Sequence, residues 1–84
     1  MDAVRIRKQV RDYLLENMLF SSDQSKLDDK ESLLQKGVID STGILEIVNF
    51  LEASFAVTIK DTDLLPEHFD SVDNIVAFVA RLTG

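Results

Sequence analysis

Ile44, Ile47, Val48, Leu51 and Phe55 recur at three- and four-residue spacing directly after a Gly37 turn and an Asp40-Ser41 pair. That stripe restricts the chain more than any other feature. A period of 3.6 residues commits the segment to an amphipathic helix whose apolar face must be covered, and 84 residues leave few elements to cover it. Two other stripes can do so. Ile6, Val10 and Leu14, with Tyr13 beside them, predict a first helix capped by Asp2 and running to about residue 18. Val72, Ile75, Val76, Val79 and Leu82 predict a last helix capped by Asp70 or Ser71. Ala56-Val57-Thr58-Ile59 is β-prone but short and isolated, so it reads as an extended connection with Ile59 anchored in the core. Asp61 to Leu65 is expected to make one short helical turn before Pro66. Three main helices and one short one, joined by a long first loop, predict an all-α fold: a small four-helix bundle forming a single domain over residues 1–84.

The long connection, residues 19 to 36, is polar and must be tied down in so small a domain. Leu27, Leu33 and Leu34 are the expected anchors. Arg5, Arg7, Lys8 and Arg11 lie in the first half of helix one, where they oppose the helix dipole, so they were not placed there for helix stability. They are read as a solvated face that pairs with the protein's own acids.

Several function classes fall away on composition. The chain has no cysteine, hence no disulfide, thiolate metal site or cysteine nucleophile, and its one histidine, His68, cannot build a zinc site. His68 sits beside a loop and is expected to be structural or solvent-exposed. Asp61, Asp63 and Asp70 lack the full calcium-loop pattern, so no metal ligand is assigned. The whole net charge of −6 arises in residues 37–84, where Lys60 and Arg81 face eight acids, an arrangement that repels nucleic acid and favours a basic protein partner. No apolar run approaches the ~20 residues of a membrane span, and the basic residues near the start interrupt any secretory signal. A monomeric cytoplasmic protein without membrane contact is the expectation. No nucleophile–base pair can be assembled, so it is expected not to be an enzyme.

The chemistry then concentrates at Ser41. With Asp40 as N-cap, Ser41 is the first helical residue, and the opening N–H groups and the dipole favour negative charge there. Gly43 costs about 0.8–1.0 kcal/mol of helix propensity, which suggests close approach by a ligand or partner, or crowding against another helix. Leu45, Asn49 and Glu52 project on roughly the same side as Ser41, away from the apolar stripe, and Glu46 adds charge. No Lys or Arg occurs between Lys36 and Lys60. On physical grounds the serine is either a capping-region residue, the commoner use, or a point of attachment for a phosphate-linked group.

Gly37, Asp40, Ser41, Glu46, Leu51, Glu52, Phe55 and Ile59 fall at the spacing of the acyl carrier protein signature, and the chain resembles that family over nearly its whole length. The resemblance implies that Ser41 receives 4′-phosphopantetheine from coenzyme A through a Mg²⁺-dependent phosphopantetheinyl transferase, with Asp40 as its neighbour in that reaction. It implies a non-catalytic carrier that holds an acyl or aminoacyl thioester and presents it to partner enzymes. Thr42, Leu45, Glu46, Asn49 and Glu52 are the implied partner-binding residues. Thr42 stands where the family usually has Leu, Gly43 where a polar or acidic residue is common, Asn49 at a position often apolar, and Ser54 at one often acidic. These departures point to a specialised, free-standing carrier served by a dedicated adenylating enzyme and a downstream acyl acceptor enzyme, with an amino acid or small acyl group as cargo. Phe50 and Phe55, with Ile44 and Ile47, are candidates to fill the interior that long acyl chains need. The competing reading is a small helical protein–protein interaction module without a prosthetic group.

Overall fold

A computed structural model describes residues 2–83, which contain four α-helices and no strand. Helix α1 spans Ala3–Leu14, α2 Ser41–Phe55, α3 Pro66–Phe69 and α4 Val72–Thr83. The expected stripes are the ones that pack. Ile6, Val10 and Leu14 of α1 meet Val72, Ile75, Val76 and Val79 of α4, and α2 covers the assembly with Ile44, Ile47, Val48, Leu51 and Phe55. Phe69 and Phe78 join this core at 0 and 2% exposure, edge to face at 5.5 Å. Leu82 is only half-buried.

Local signals set the helix ends. Asp2 caps α1 by accepting from the Val4 N–H at 2.9 Å. The predicted first helix reaches its expected length, but its last turn, Leu15–Leu19, is wound as a π-helix and closes with Phe20 in the left-handed region at φ 53°. Leu14 and Leu15 are both buried at the change of winding. Ser71, rather than Asp70, caps α4, its hydroxyl accepting from the Asn74 N–H at 3.1 Å. The turn expected before Pro66 is a 3₁₀ turn over Asp61–Asp63, and Pro66 itself begins α3. Its fixed φ and missing N–H suit the first helical position, so this proline starts a helix instead of ending one.

The long connection between α1 and α2 is held at several points. Leu27 and Leu33 are buried and Leu34 is half-buried against the core. Asp70 accepts from the Ser32 hydroxyl at 2.7 Å and the Leu34 N–H at 3.1 Å, and its carbonyl accepts from Leu33 N–H at 2.6 Å. Arg7 donates to Asp29 at 2.9 Å and to Asp73 at 2.6 Å, and the Asp73 contact leads the causes that raise the already high guanidinium pKa. Arg11 also bonds Asp29, and it donates to the carbonyls of Gln24 and Leu27 at 2.7 and 2.9 Å. Of the basic residues of α1, Arg7, Lys8 and Arg11 pair with the protein's own acids, and Arg7 and Arg11 thereby stitch the loop to α1 and α4. Lys8 reaches only Asp12 of its own helix, and Arg5 forms no ion pair among the described residues. His68 is structural too: its Nδ1 lies 2.9 Å from the Asp63 carbonyl, and its ring stacks on Phe78 at 4.7 Å.

Candidate functional site at the start of helix α2

The approach to Ser41 is a sequence of small locks. Gly37 takes φ +72°, a conformation that costs an L side chain, and the turn closes with N–H to C=O bonds from Gly37 to Leu34 and from Val38 to Leu33. Ile39 is then buried at 4% exposure, which fixes the chain one residue before the cap. Asp40 is extended, and its Oδ1 accepts from the Gly43 N–H at 2.8 Å. A Cβ at Gly43 would lie 3.3 Å from the Cβ of Ile39. The glycine therefore answers to crowding by the incoming loop rather than by another helix, and it lets Ile39 sit close under the first turn.

Ser41 emerges from this arrangement exposed, as the first residue of α2. Thr42, Leu45, Glu46 and Asn49 are exposed with it, Leu45 at 55%. An apolar side chain in the open, one turn beyond a hydroxyl, is suited to contact with another surface. Glu52 differs from the other four. It is half-buried and its Oε2 accepts from the Ile59 N–H at 3.0 Å, which holds the extended connection against α2. Its carboxylate already has an internal task, whatever its outer edge meets.

Phe50 lies on the helix flank, stacked on Tyr13 at 4.1 Å and edge-on to Phe55 at 6.1 Å. These rings close the seam between α1 and α2, so Phe50 serves the packing of the two helices. Partial burial pushes the Tyr13 phenol above its ordinary pKa, and the charge of Glu46 adds to the effect. Glu46 is thus close enough to the end of α1 to act on it.

The residues present suit a phosphate-linked group on Ser41. The hydroxyl-bearing side chain is accessible, the Asp40 cap engages Gly43, and the N–H groups of Ser41 and Thr42 precede the first intrahelical bond. Sequence reasoning missed one neighbour. Phe20, 83% exposed, stands with Asn17, Met18 and Val38 across a groove from Asp40, Thr42, Gly43 and Glu46. The only hint in the sequence was an apolar Leu19-Phe20 pair set against Ser21-Ser22 at the edge of a polar loop.

The site is thus a capped second helix that presents an exposed serine from a small four-helix bundle. No protein-family model matches the chain. It is similar to the D-alanyl carrier protein of Streptococcus suis, with 34% identity over 64 residues, 76% of this chain and 80% of that protein. It is also similar to a probable acyl carrier protein, PigG, of a Serratia species, with 32% identity over 60 residues, 71% of this chain and 69% of that one. A D-alanyl carrier protein from a second Streptococcus suis strain shares 33% over 64 residues. The chain belongs to the acyl carrier protein family, and among its described residues no helix is long and apolar enough to cross a membrane.

Proposed function

We propose that this carrier protein holds an acyl or aminoacyl group as a thioester on a 4′-phosphopantetheine arm attached to Ser41, and presents it in the cytoplasm to successive enzymes. The observation that carries the reading is the exposed Ser41 at the first position of α2, on a turn locked by Gly37, Ile39 and Asp40. In the attachment step the Ser41 Oγ bonds to the pantetheine-bearing phosphorus of coenzyme A. The phosphoanhydride bond breaks, adenosine 3′,5′-bisphosphate leaves, and the serine proton passes to a base on the transferase or to solvent. When bound, the group supplies a terminal thiol for the thioester. The chain itself anchors and orients it, without catalysis.

Leu45 is the proposed apolar anchor for partner enzymes, with Thr42, Glu46 and Asn49 around it and Glu52 at the edge. An acidic half with few cations fits partners that dock through basic surfaces. The cargo is proposed to be an amino acid or small acyl group, delivered by a dedicated adenylating enzyme and passed to an acceptor enzyme. Two lines support this: the departures at Thr42 and Gly43, and a similar protein named as a D-alanyl carrier.

The test is incubation with coenzyme A, Mg²⁺ and a broad-specificity phosphopantetheinyl transferase, with the intact mass as readout. Gain of one phosphopantetheine that is lost in Ser41→Ala is expected; no gain with several transferases favours a plain interaction module. Loading panels of amino acids and fatty acids then address the cargo. Efficient long-chain acylation with no amino acid loading would overturn that part.

A further inference from the structure

The groove beside Ser41 has a composition that the carrier reading alone does not explain. One wall is the π turn at the end of α1, where Phe20 adopts the left-handed conformation and stands 83% exposed. Such backbone costs a non-glycine residue on the order of 1 kcal/mol, and π turns are frequent at functional sites. The other wall is the start of α2, from Asp40 through Thr42 and Gly43 to Glu46, so it begins at the two neighbours of Ser41. Its volume of about 430 Å³ lies within the usual range for small-molecule sites.

Two carboxylates lead its polar lining, beside the Thr42 hydroxyl and the Asn17 amide. Glu46 presents an exposed carboxylate, and Asp40 uses one oxygen on Gly43 and keeps the other. Asn17 donates one amide N–H to the Tyr13 carbonyl at 3.0 Å, and its Oδ1 and second N–H remain. No Lys or Arg lines the groove, and Lys36, next to it in sequence, is paired with Glu31 at 2.9 Å. Met18, Phe20 and Val38 supply apolar surface alongside. A groove with two carboxylates and apolar side chains, and no cation, matches a short organic chain that ends in an ammonium group. An acyl group with no charge would make no ion pair with Glu46, whose exposed carboxylate would stay hydrated.

We propose that this groove is a resting site for the loaded arm, in which Glu46 receives the ammonium group of a small aminoacyl cargo while Phe20 and Met18 cover the pantetheine. The inference rests on the reading of Ser41 as the attachment residue. It adds a selectivity step within the carrier itself: an aminoacyl group is sheltered between enzymes, and an uncharged acyl group of the same size is not.

The experiment compares two loaded forms made with coenzyme A analogues carrying alanyl or propionyl groups in stable amide linkage. Intact mass first verifies attachment at Ser41; absence of any gain strikes the carrier reading itself, whereas the backbone amide shifts of the loaded forms bear on the groove alone. The alanyl form is expected to move Asn17, Phe20, Gly43 and Glu46 at least about twice as far as the propionyl form. Glu46→Gln, an exposed substitution that leaves the fold in place, is expected to erase that difference, and Phe20→Ser to shrink the shifts in both forms. Indistinguishable shifts for alanyl and propionyl, or changes confined to Ser41 and Thr42, would overturn the proposal.

Discussion

In the connection between α1 and α2, nearly every turn has a named restraint, whereas the outward face of α2 has almost none. Asp29 takes bonds from Arg7 and Arg11, Asp70 takes them from Ser32 and Leu34, and Leu27 and Leu33 are buried. Ser41, Thr42, Leu45 and Asn49 stand exposed a few residues away. The two regions are complementary. A loop of this length would leave the start of α2 poorly placed, and tying it to α1 and α4 turns it into a mount. The face it supports is left free of internal work, as the proposed docking surface requires. Glu52 marks the border, since it lies on that helix and also bonds the backbone at Ile59.

The contrast can be broken from the mount. Leu33→Ala removes a side chain 2% exposed and is expected to cost about 2–5 kcal/mol, read from denaturant midpoints. A cost near zero would mean that the loop is not anchored there. Leu45→Arg should do the reverse, leaving the midpoint unchanged while lowering kcat/KM for loading by the partner enzyme. The expected loss is about 2 kcal/mol or more, about 30-fold. Unchanged loading would remove Leu45 from the docking face. Asp40→Ala, which strips the cap from Gly43, is expected to cost about 1 kcal/mol of stability and to slow modification of Ser41 by loosening the first turn. If the stability falls and modification does not, the cap serves the helix alone.

The smallest effect concerns the seam between the two helices. Tyr13 has a raised pKa because burial and the Glu46 charge disfavour its phenolate, so the folded state holds the proton longer than the unfolded one. The stability this gives is complete below the unfolded value, about pH 10, and is lost as pH rises through the folded value. Tyr13→Phe should therefore flatten part of the alkaline decline above pH ~10. An identical decline in both proteins would remove Tyr13 as its source.

Much of this was legible because it is local. Ile6-Val10-Leu14 and the α2 stripe are periodic, and Gly37 and Asp40 mark the turn and cap through their own backbone chemistry. What escaped depends on pairs distant in sequence. Nothing near Arg7 announces Asp73, and Asp70 and Ser71 are equal as caps until Ser32 and Leu34 claim the first. Pro66 carries both a stop and a start signal, and only packing of Phe69 into the core chooses the start. At the candidate site, the cap and the exposed Leu45 were readable from helix geometry. The groove was not, because Phe20 faces it only through a π turn that no periodicity signals.

The most direct test of the central claim uses protein isolated from its own cells, with no added transferase. Intact mass and then peptide fragmentation should find one phosphopantetheine, located on Ser41 and on no other serine. An unmodified Ser41 in actively growing cells, or the group found on a loop serine such as Ser32, would contradict it.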